Sequence, residues 1–273
     1  MSHFHPFPGP FGSVLVRESE GDGPPIVFLH GNSSSSRAFE RQIEGPLGKR
    51  RRLVAFDFMG FGDSESAVDE RAYLIGGQAR TLVAVAEGLG LSEAVFIGWS
   101  LGGHILLEAA PDLPSARGFA IFGAPPIGFP PEMDKAFLPN PALGLGFTPN
   151  LSREQAHEFV DALFAPGFLD IADFFVEDVL KAASLARTQL YASLTPSLMR
   201  DEIVVCAELT KPLAILHGEQ DRLVNRAYYA DLALPKLWRG AVQGIADAGH
   251  APQWEKPRAF EALIEAFAAD CGG

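Results

Sequence analysis

The segment Gly98-Trp99-Ser100-Leu101-Gly102 sets one serine between two glycines. That spacing can turn a weakly reactive hydroxyl into a nucleophile, provided the backbone holds it outward and a base removes its proton. The flanks satisfy the first condition. An apolar run, 94–97, leads into the segment, and a helical pattern (Ile105, Leu106, Leu107, Ala109, Ala110) begins directly after it. Strand, sharp turn and helix therefore follow one another, and Gly98 and Gly102 leave room where two backbone segments must approach closely. The backbone N–H of Leu101 can then face the charge that develops on a carbonyl oxygen attacked by Ser100. The competing reading, a serine that merely caps a helix, needs neither the apolar strand before it nor the second glycine.

A serine nucleophile needs an imidazole, and the imidazole needs a carboxylate to orient it. Of seven histidines, His250 alone follows a late strand inside a Gly-His-x-Pro loop, and it is the candidate base. His30 and His217 each precede a glycine at a strand end and read as structural, bonding neighbouring backbone. His104 lies on the helix after the serine, where packing against the core or the cap is expected. His3 and His5 sit in a proline-rich terminus expected to be flexible. Three carboxylates compete as the orienting acid. Asp221 lies in the loop after the strand that precedes the base, Glu219 can face the sheet edge, and Asp247 can cap its own loop. Asp57 precedes a glycine-rich turn and reads as a brace that accepts backbone N–H groups. No H-x-H-x-D-H, H-E-x-x-H or G-x-G-x-x-G pattern occurs, so neither a metal nor a dinucleotide cofactor is expected.

The elements needed to position these groups are legible as alternating runs. Strands are expected at 13–18, 26–29, 52–56, 94–97, 118–122, 212–216 and 241–245, the central ones continuously apolar as in a sheet covered on both faces. Helices are expected at 37–47, 75–89, 101–110, 226–234 and 258–268. This is the rhythm of a parallel sheet flanked by helices, with each candidate residue just beyond the carboxyl end of a strand. The rhythm breaks between 126 and 208, where helical patterns at 153–164, 169–179 and 181–194 replace strands and Ser152 with Gln155 forms a capping-box signature. The expected organisation is a core from 1–125 and 209–273, interrupted by a helical cap at 126–208. Eight phenylalanines in the cap (Phe129, Phe137, Phe147, Phe159, Phe164, Phe168, Phe174, Phe175) suit an acyl or aromatic group, although most should pack the cap onto the sheet.

Composition narrows the class. The chain has 273 residues, 47% of them hydrophobic, and a formal net charge of −12. The run Lys49-Arg50-Arg51-Arg52 reads as a solvated edge, because nucleic-acid binding would need a basic face. Cys206 and Cys271 imply neither a disulfide framework nor a metal site. Without a run of 18 apolar residues or a signal-like N-terminus, a soluble cytoplasmic protein acting on a small molecule is expected, with no membrane or nucleic-acid partner. Oligomeric state leaves no signal.

The order serine, acid, histidine on an interrupted parallel sheet is that of the α/β-hydrolase fold. The whole chain resembles the capped members of that fold at His30-Gly31-Asn32, 57–64, 98–103, 217–224 and 249–257. The resemblance implies Ser100 as nucleophile, Asp221 as triad acid, His250 as base, and the backbone N–H groups of Asn32 and Leu101 as the oxyanion hole. Serine at the elbow separates the chain from the epoxide hydrolases and haloalkane dehalogenases, which carry aspartate there. Val16-Arg-Glu-Ser-Glu-Gly, His30-Gly-Asn-Ser-Ser-Ser, Gly98-Trp-Ser-Leu-Gly-Gly-His-Ile and Asp247-Ala-Gly-His-Ala-Pro further resemble the metal-independent N-acyl-homoserine lactonases. That likeness implies ring opening of acylated homoserine lactones, the bacterial quorum signals, through an acyl-enzyme. The chain departs from it at Asp221, where glutamate occurs in such a lactonase, and in the cap, where no residues match. Gln253-Trp254-Glu255 resembles hydrolases that cleave carbon–carbon bonds in aromatic ring-fission products. A general carboxylesterase needs the same triad, and a binding protein of this fold would need none.

Overall fold

In a computed structural model, which describes residues 2–272, eight strands form one sheet. They are β1 (His3–Gly9), β2 (Gly12–Glu18), β3 (Gly23–Leu29), β4 (Arg51–Phe56), β5 (Val95–Trp99), β6 (Gly118–Phe122), β7 (Leu213–Gly218) and β8 (Gln243–Ile245), in the spatial order β1-β2-β4-β3-β5-β6-β7-β8. The first two join antiparallel, and from β4 to β8 every pairing is parallel. Side chains alternate between the two faces of a strand. Val27, Leu29, Val54, Phe56, Phe96 and Ile121 enter one hydrophobic cluster, while Ile26, Phe28, Leu53, Ala55, Ile97 and Phe122 enter the other. A strand buried on both faces must be apolar throughout, which accounts for the unbroken runs of the central strands.

The strand order reverses at β3, which has β4 on one side and β5 on the other, with Leu29 paired to Gly98. Loops leaving two such neighbours diverge, and a crevice opens at the carboxyl edge between them. Between β6 and β7 the chain leaves the sheet to build the cap over that edge. Its helices are Met133–Ala136, Ala142–Leu145, Arg153–Ala162, Phe174–Lys181, Ser184–Ser193 and Glu202–Glu208. Ser152 and Gln155 form the expected reciprocal capping box. No helix of the described residues is long and apolar enough to cross a membrane.

Several expectations are corrected. The amino-terminal stretch is an edge strand: residues 3–9 pair in continuous register with β2, and His5 Nε2 lies 2.9 Å from Glu18 Oε1. Prolines 6, 8 and 10 are compatible with this position because an edge strand has one row of N–H groups free of the ladder. The helix expected at 37–47 is a 3₁₀ turn (Ser36–Phe39), a single α turn (Glu40–Ile43) and a separate helix (Pro46–Arg50). Gly45, which precedes the proline, is extended at φ −78° and ψ −175°, as the proline ring requires. The segment 226–234 is a 3₁₀ helix, Arg226–Asp231. The pattern at 169–179 becomes helical only at Phe174. β7 runs through Gly218, so His217 is a strand residue.

Gly218 also marks a close approach: a Cβ there would lie 1.9 Å from the carbonyl oxygen of Gly249. Overpacking against backbone costs about 1–3 kcal/mol. Gly218→Ala should lower the thermal midpoint by about 5 °C, whereas Gly144→Ala, whose Cβ meets nothing within 4 Å, should leave it nearly unchanged. Indistinguishable midpoints in a melting experiment would contradict this contact.

Candidate active site

Ser100 lies between β5 and the helix Leu101–Ala109 at φ 51° and ψ −120°, a region that non-glycine residues rarely adopt. Its neighbours impose the strain. A Cβ on Gly98 would sit 2.4 Å from Gly102 O, and one on Gly102 would sit 2.3 Å from Leu29 O. Only glycine permits the helix to start this close to β3. Ser100 N–H donates to Phe122 O at 2.8 Å, tying the turn to β6. Leu101 is the first residue of its helix, so its N–H has no acceptor within it.

The histidine meets one carboxylate at the cavity that Ser100 also lines. His250 Nδ1 lies 2.8 Å from Asp221 Oδ2, and both side chains are buried. Asp221 Oδ1 accepts the N–H groups of Leu223 and Val224 at 2.7 and 3.1 Å. Burial alone would raise the Asp221 carboxyl, but the His250 ring and these two donors hold it below the usual carboxylate range. The ring itself is held through its backbone, since Trp99 Nε1 donates to His250 O at 2.8 Å. Glu255 Oε1 accepts Gly249 N–H at 2.7 Å and Oε2 accepts Ala165 N–H at 2.8 Å, linking the histidine loop to the cap. The two rival acids lie elsewhere. Glu219 faces Arg226 at 3.7 Å near the surface, and Asp247 is exposed in a turn at φ 53°.

The remaining candidates sort as follows. Asp57 braces its loop, accepting N–H from Ser36 at 2.7 Å and Asp63 at 2.8 Å. His30 bonds backbone on both edges, with Nδ1 2.8 Å from Gly31 O and Phe58 N–H donating to Nε2 at 3.0 Å. Burial pushes its pKa down, as suits a neutral ring accepting an N–H. His217 departs from expectation: its Nδ1 has no partner among the described residues, and the ring stands edge-on to Tyr229. His104 Nδ1 lies 3.0 Å from both carboxylate oxygens of Glu202, so the helix after the serine is tied to the cap.

Asn32 and Ser33 follow β3. Asn32 Nδ2 donates to Gly146 O of the cap at 2.7 Å, and Ser33 Oγ donates to Asn32 Oδ1 at 3.0 Å. Arg187, 2% exposed, donates from Nε to Ser33 Oγ at 2.8 Å and from Nη1 to Pro149 O at 3.0 Å, and Nη2 bonds Val179 O. Sequence reasoning missed Arg187 and Glu202, and named Glu255 only within Gln253-Trp254-Glu255, without this role. For Arg187 a signal existed, because it shares the helix face of Ala186 and Leu190, which are buried.

Ser100, His250, Asn32 and Leu101 all line one cavity of about 550 Å³ between sheet and cap. Phe137, Phe147 and Phe159 reach it, together with Ile75, Ile127, Met133 and several leucines. The other five cap phenylalanines pack structure: Phe164, Phe168, Phe174 and Phe175 with their own cluster, and Phe129 against the opposite one. No lysine or arginine is among the described residues that line the cavity.

The depressed Asp221 carboxyl has a consequence for stability. Its ionised form is favoured by folding, so its contribution is complete above the unfolded value of about 3.9 and is lost as pH falls through the lower folded value. The stability difference between wild type and Asp221→Asn should be largest near neutral pH and shrink in acid. Denaturant titrations giving a pH-independent difference would contradict the bond as drawn.

Residues 26–263 match the family described as Alpha/beta hydrolase family. Among characterised proteins the chain is 26% identical over 269 residues to the AB hydrolase superfamily protein YisY of Bacillus subtilis (strain 168), covering 93% of this chain and 95% of that one. It is 27% identical over 278 residues to a 2-hydroxy-6-oxononadienedioate/2-hydroxy-6-oxononatrienedioate hydrolase of Pseudomonas sp., covering 94% and 92%. Among solved structures it is similar to the N-acyl homoserine lactonase AidH. A mutant complexed with N-hexanoyl homoserine lactone superposes with a TM-score of 0.94 at 31% identity, over 98% of each chain. A complex with N-butanoyl homoserine gives 0.94 at 32%, over 98% of this chain and 97% of that one. A glycine-flanked serine at the carboxyl edge of the sheet, a buried histidine–aspartate pair beside it and a helical cap above thus coincide with a family match across most of the sequence: the chain is a member of the alpha/beta hydrolase family.

Proposed function

We propose that this protein opens the ring of N-acyl-homoserine lactones by serine catalysis. The observation that carries the reading is the cavity lined by Ser100 and His250, mostly apolar and free of lysine and arginine among its described lining. A neutral lactone with an aliphatic tail matches it, and the tail would contribute about 0.8 kcal/mol per buried methylene. The likeness to the AidH complexes, at 31% and 32% identity over nearly the whole chain, supports the same substrate.

In this mechanism Ser100 Oγ attacks the lactone carbonyl while His250 Nε2 takes its proton. Asp221 keeps the proton on Nδ1, so Nε2 is the basic atom, and it stabilises the imidazolium that forms. The N–H groups of Leu101 and Asn32 receive the oxyanion. The ring C–O bond then breaks, His250 returns its proton to the ring oxygen, and the homoserine hydroxyl remains tethered to the acyl-enzyme. Water, deprotonated by His250, attacks the Ser100 ester, and N-acyl-homoserine leaves as a carboxylate. Because the tethered hydroxyl could close the ring again, rapid hydrolysis matters. A product carboxylate finds no cation in the cavity lining to retain it.

The carbon–carbon hydrolase reading fits less well. The substrate named for the Pseudomonas relative is a dioate, and a dianion calls for cationic anchors. Arg187 does not supply one, since it lies outside the cavity lining, with Nε, Nη1 and Nη2 bonded to Ser33, Pro149 and Val179. A general carboxylesterase would use the same residues with less demand on the cap.

Ser100→Ala should abolish hydrolysis of p-nitrophenyl butyrate with circular dichroism unchanged, and Asp221→Asn should lower kcat by about 10³–10⁴ while Asp247→Asn changes it less than threefold. Near-wild-type turnover by Ser100→Ala, or the reverse ranking of the aspartates, would overturn these roles. For the substrate, kcat/KM is measured on a chain-length series of N-acyl-homoserine lactones beside matched linear esters, with products identified by mass. A preference for the lactones above about tenfold is expected, and brisk ester hydrolysis without ring opening would leave a carboxylesterase.

A further inference from the structure

Beyond Ser100 and His250, the polar side chains lining the cavity are Asn32, His104, Asp134 and Asn140. Two of them are spent. Asn32 bonds Gly146 and Ser33, and Asn140 bonds Ala142 N–H at 3.0 Å and Arg222 O at 3.4 Å. Asp134 is exposed at the rim. His104 is different: its side chain is 15% exposed, it stands in the first turn of the helix that follows Ser100, and only its Nδ1 has a partner among the described residues.

Side chains of a helix lean toward its amino terminus. His104 therefore leans toward the turn that carries Ser100. Its partner Glu202 is 0% exposed, and that carboxylate also accepts Ile127 N–H at 2.7 Å. A carboxylate bonded at Nδ1 keeps the proton there and leaves Nε2 as the ring's unspent hydrogen-bonding atom. Burying an imidazole–carboxylate pair costs desolvation, and besides tying the helix to the cap this pair leaves His104 on the cavity lining with one ring nitrogen unpartnered among the described residues. Such pairs collect where a ligand must be met.

We propose that His104, oriented by Glu202, is a specificity-determining residue that binds the amide next to the scissile lactone, Nε2 accepting the amide N–H. This rests on the lactonase reading above and deepens it. In an N-acyl-homoserine lactone the amide nitrogen is attached to the carbon beside the attacked carbonyl. A group in the helical turn after the nucleophile, lining the same cavity, is placed to meet it, while the acyl tail continues into the apolar part of the cavity. A linear ester or an alkyl lactone offers no such N–H, so this contact separates quorum-type amides from other neutral esters.

The test compares N-hexanoyl homoserine lactone with α-heptyl-γ-butyrolactone, which replaces the amide chain by an alkyl chain of the same length. The ratio of their kcat/KM values is measured for wild type, His104→Phe and His104→Gln. Because His104→Phe strands the Glu202 carboxylate, the double variant His104→Phe/Glu202→Gln is measured beside it, with melting curves for all four proteins. The ratio is expected to fall at least tenfold in His104→Phe and in the double variant, and to be partly restored in His104→Gln, whose amide oxygen can accept the N–H. A ratio that stays within twofold of wild type, even if both rates drop together, makes the pair a structural staple and overturns the proposal. If wild type opens the alkyl lactone but not the acyl-homoserine lactone, the parent reading fails and this one falls with it. A wild type that opens both, with an unchanged ratio in the variants, removes only the amide contact.

Discussion

The contact on which the site depends is between two pieces of backbone: the start of the helix after Ser100 and the end of β3. Gly102 lies so close to Leu29 and His30 that a Cβ would meet their carbonyl oxygens at 2.3 and 2.7 Å. This approach forces the turn at Ser100 into a positive φ and aims the helix amino terminus at the crevice where the strand order reverses. It also brings the loop carrying Asn32 beside the serine, since β3 and β5 are hydrogen-bonded neighbours. Strain of about 1–3 kcal/mol at one residue is sustained because the sheet on both sides over-determines the turn.

The cap is seated by directional as well as apolar contacts. Four ionisable groups lie buried or nearly so along its seam with the core. Asp178 bonds Ser35 at 2.6 Å and pairs with Arg37, Arg187 bonds Ser33, Glu202 bonds His104, and Glu255 joins Ala165 to Gly249. Burial raises the carboxyls of Asp178, Glu202 and Glu255 and lowers the Arg187 guanidinium, so none of them is there cheaply. Apolar packing is non-directional and would let the cap slide. Each of these groups instead ties it to a loop or helix that leaves the carboxyl edge of the sheet.

Charge distribution bears on what the cavity can hold. The chain carries a net charge of −12, and no lysine or arginine is among the described cavity lining. Arg37 pairs with Asp178, Arg41 with Asp170 and the Trp254 carbonyl, and Arg222 with Asp161, all outside that lining. A neutral ligand enters without an unmet charge, whereas an anionic one would lose its hydration with nothing in exchange.

The sequence by itself determined the alternating architecture, the serine elbow and the histidine loop, because each is written in local pattern: continuous apolar runs, glycines at defined offsets from Ser100, and Gly-His-x-Pro after the last strand. The capping box at Ser152 was legible for the same reason. Only the tertiary structure decided which of Asp221, Glu219 and Asp247 meets the His250 ring, since the loops after β7 and β8 are brought together by the pairing of those strands and not by spacing along the chain. The edge strand at residues 3–9 was hidden because its prolines mask the alternation and its partner supplies the ladder. Glu202 and Glu255 lie outside the helical patterns legible in the sequence, and for Arg187 the periodicity that sets it on the face of Leu190 does not say whether that face meets water or a seam between two layers. Burial is a property of what packs against a residue, and for the cap that partner lies up to 154 positions away along the chain.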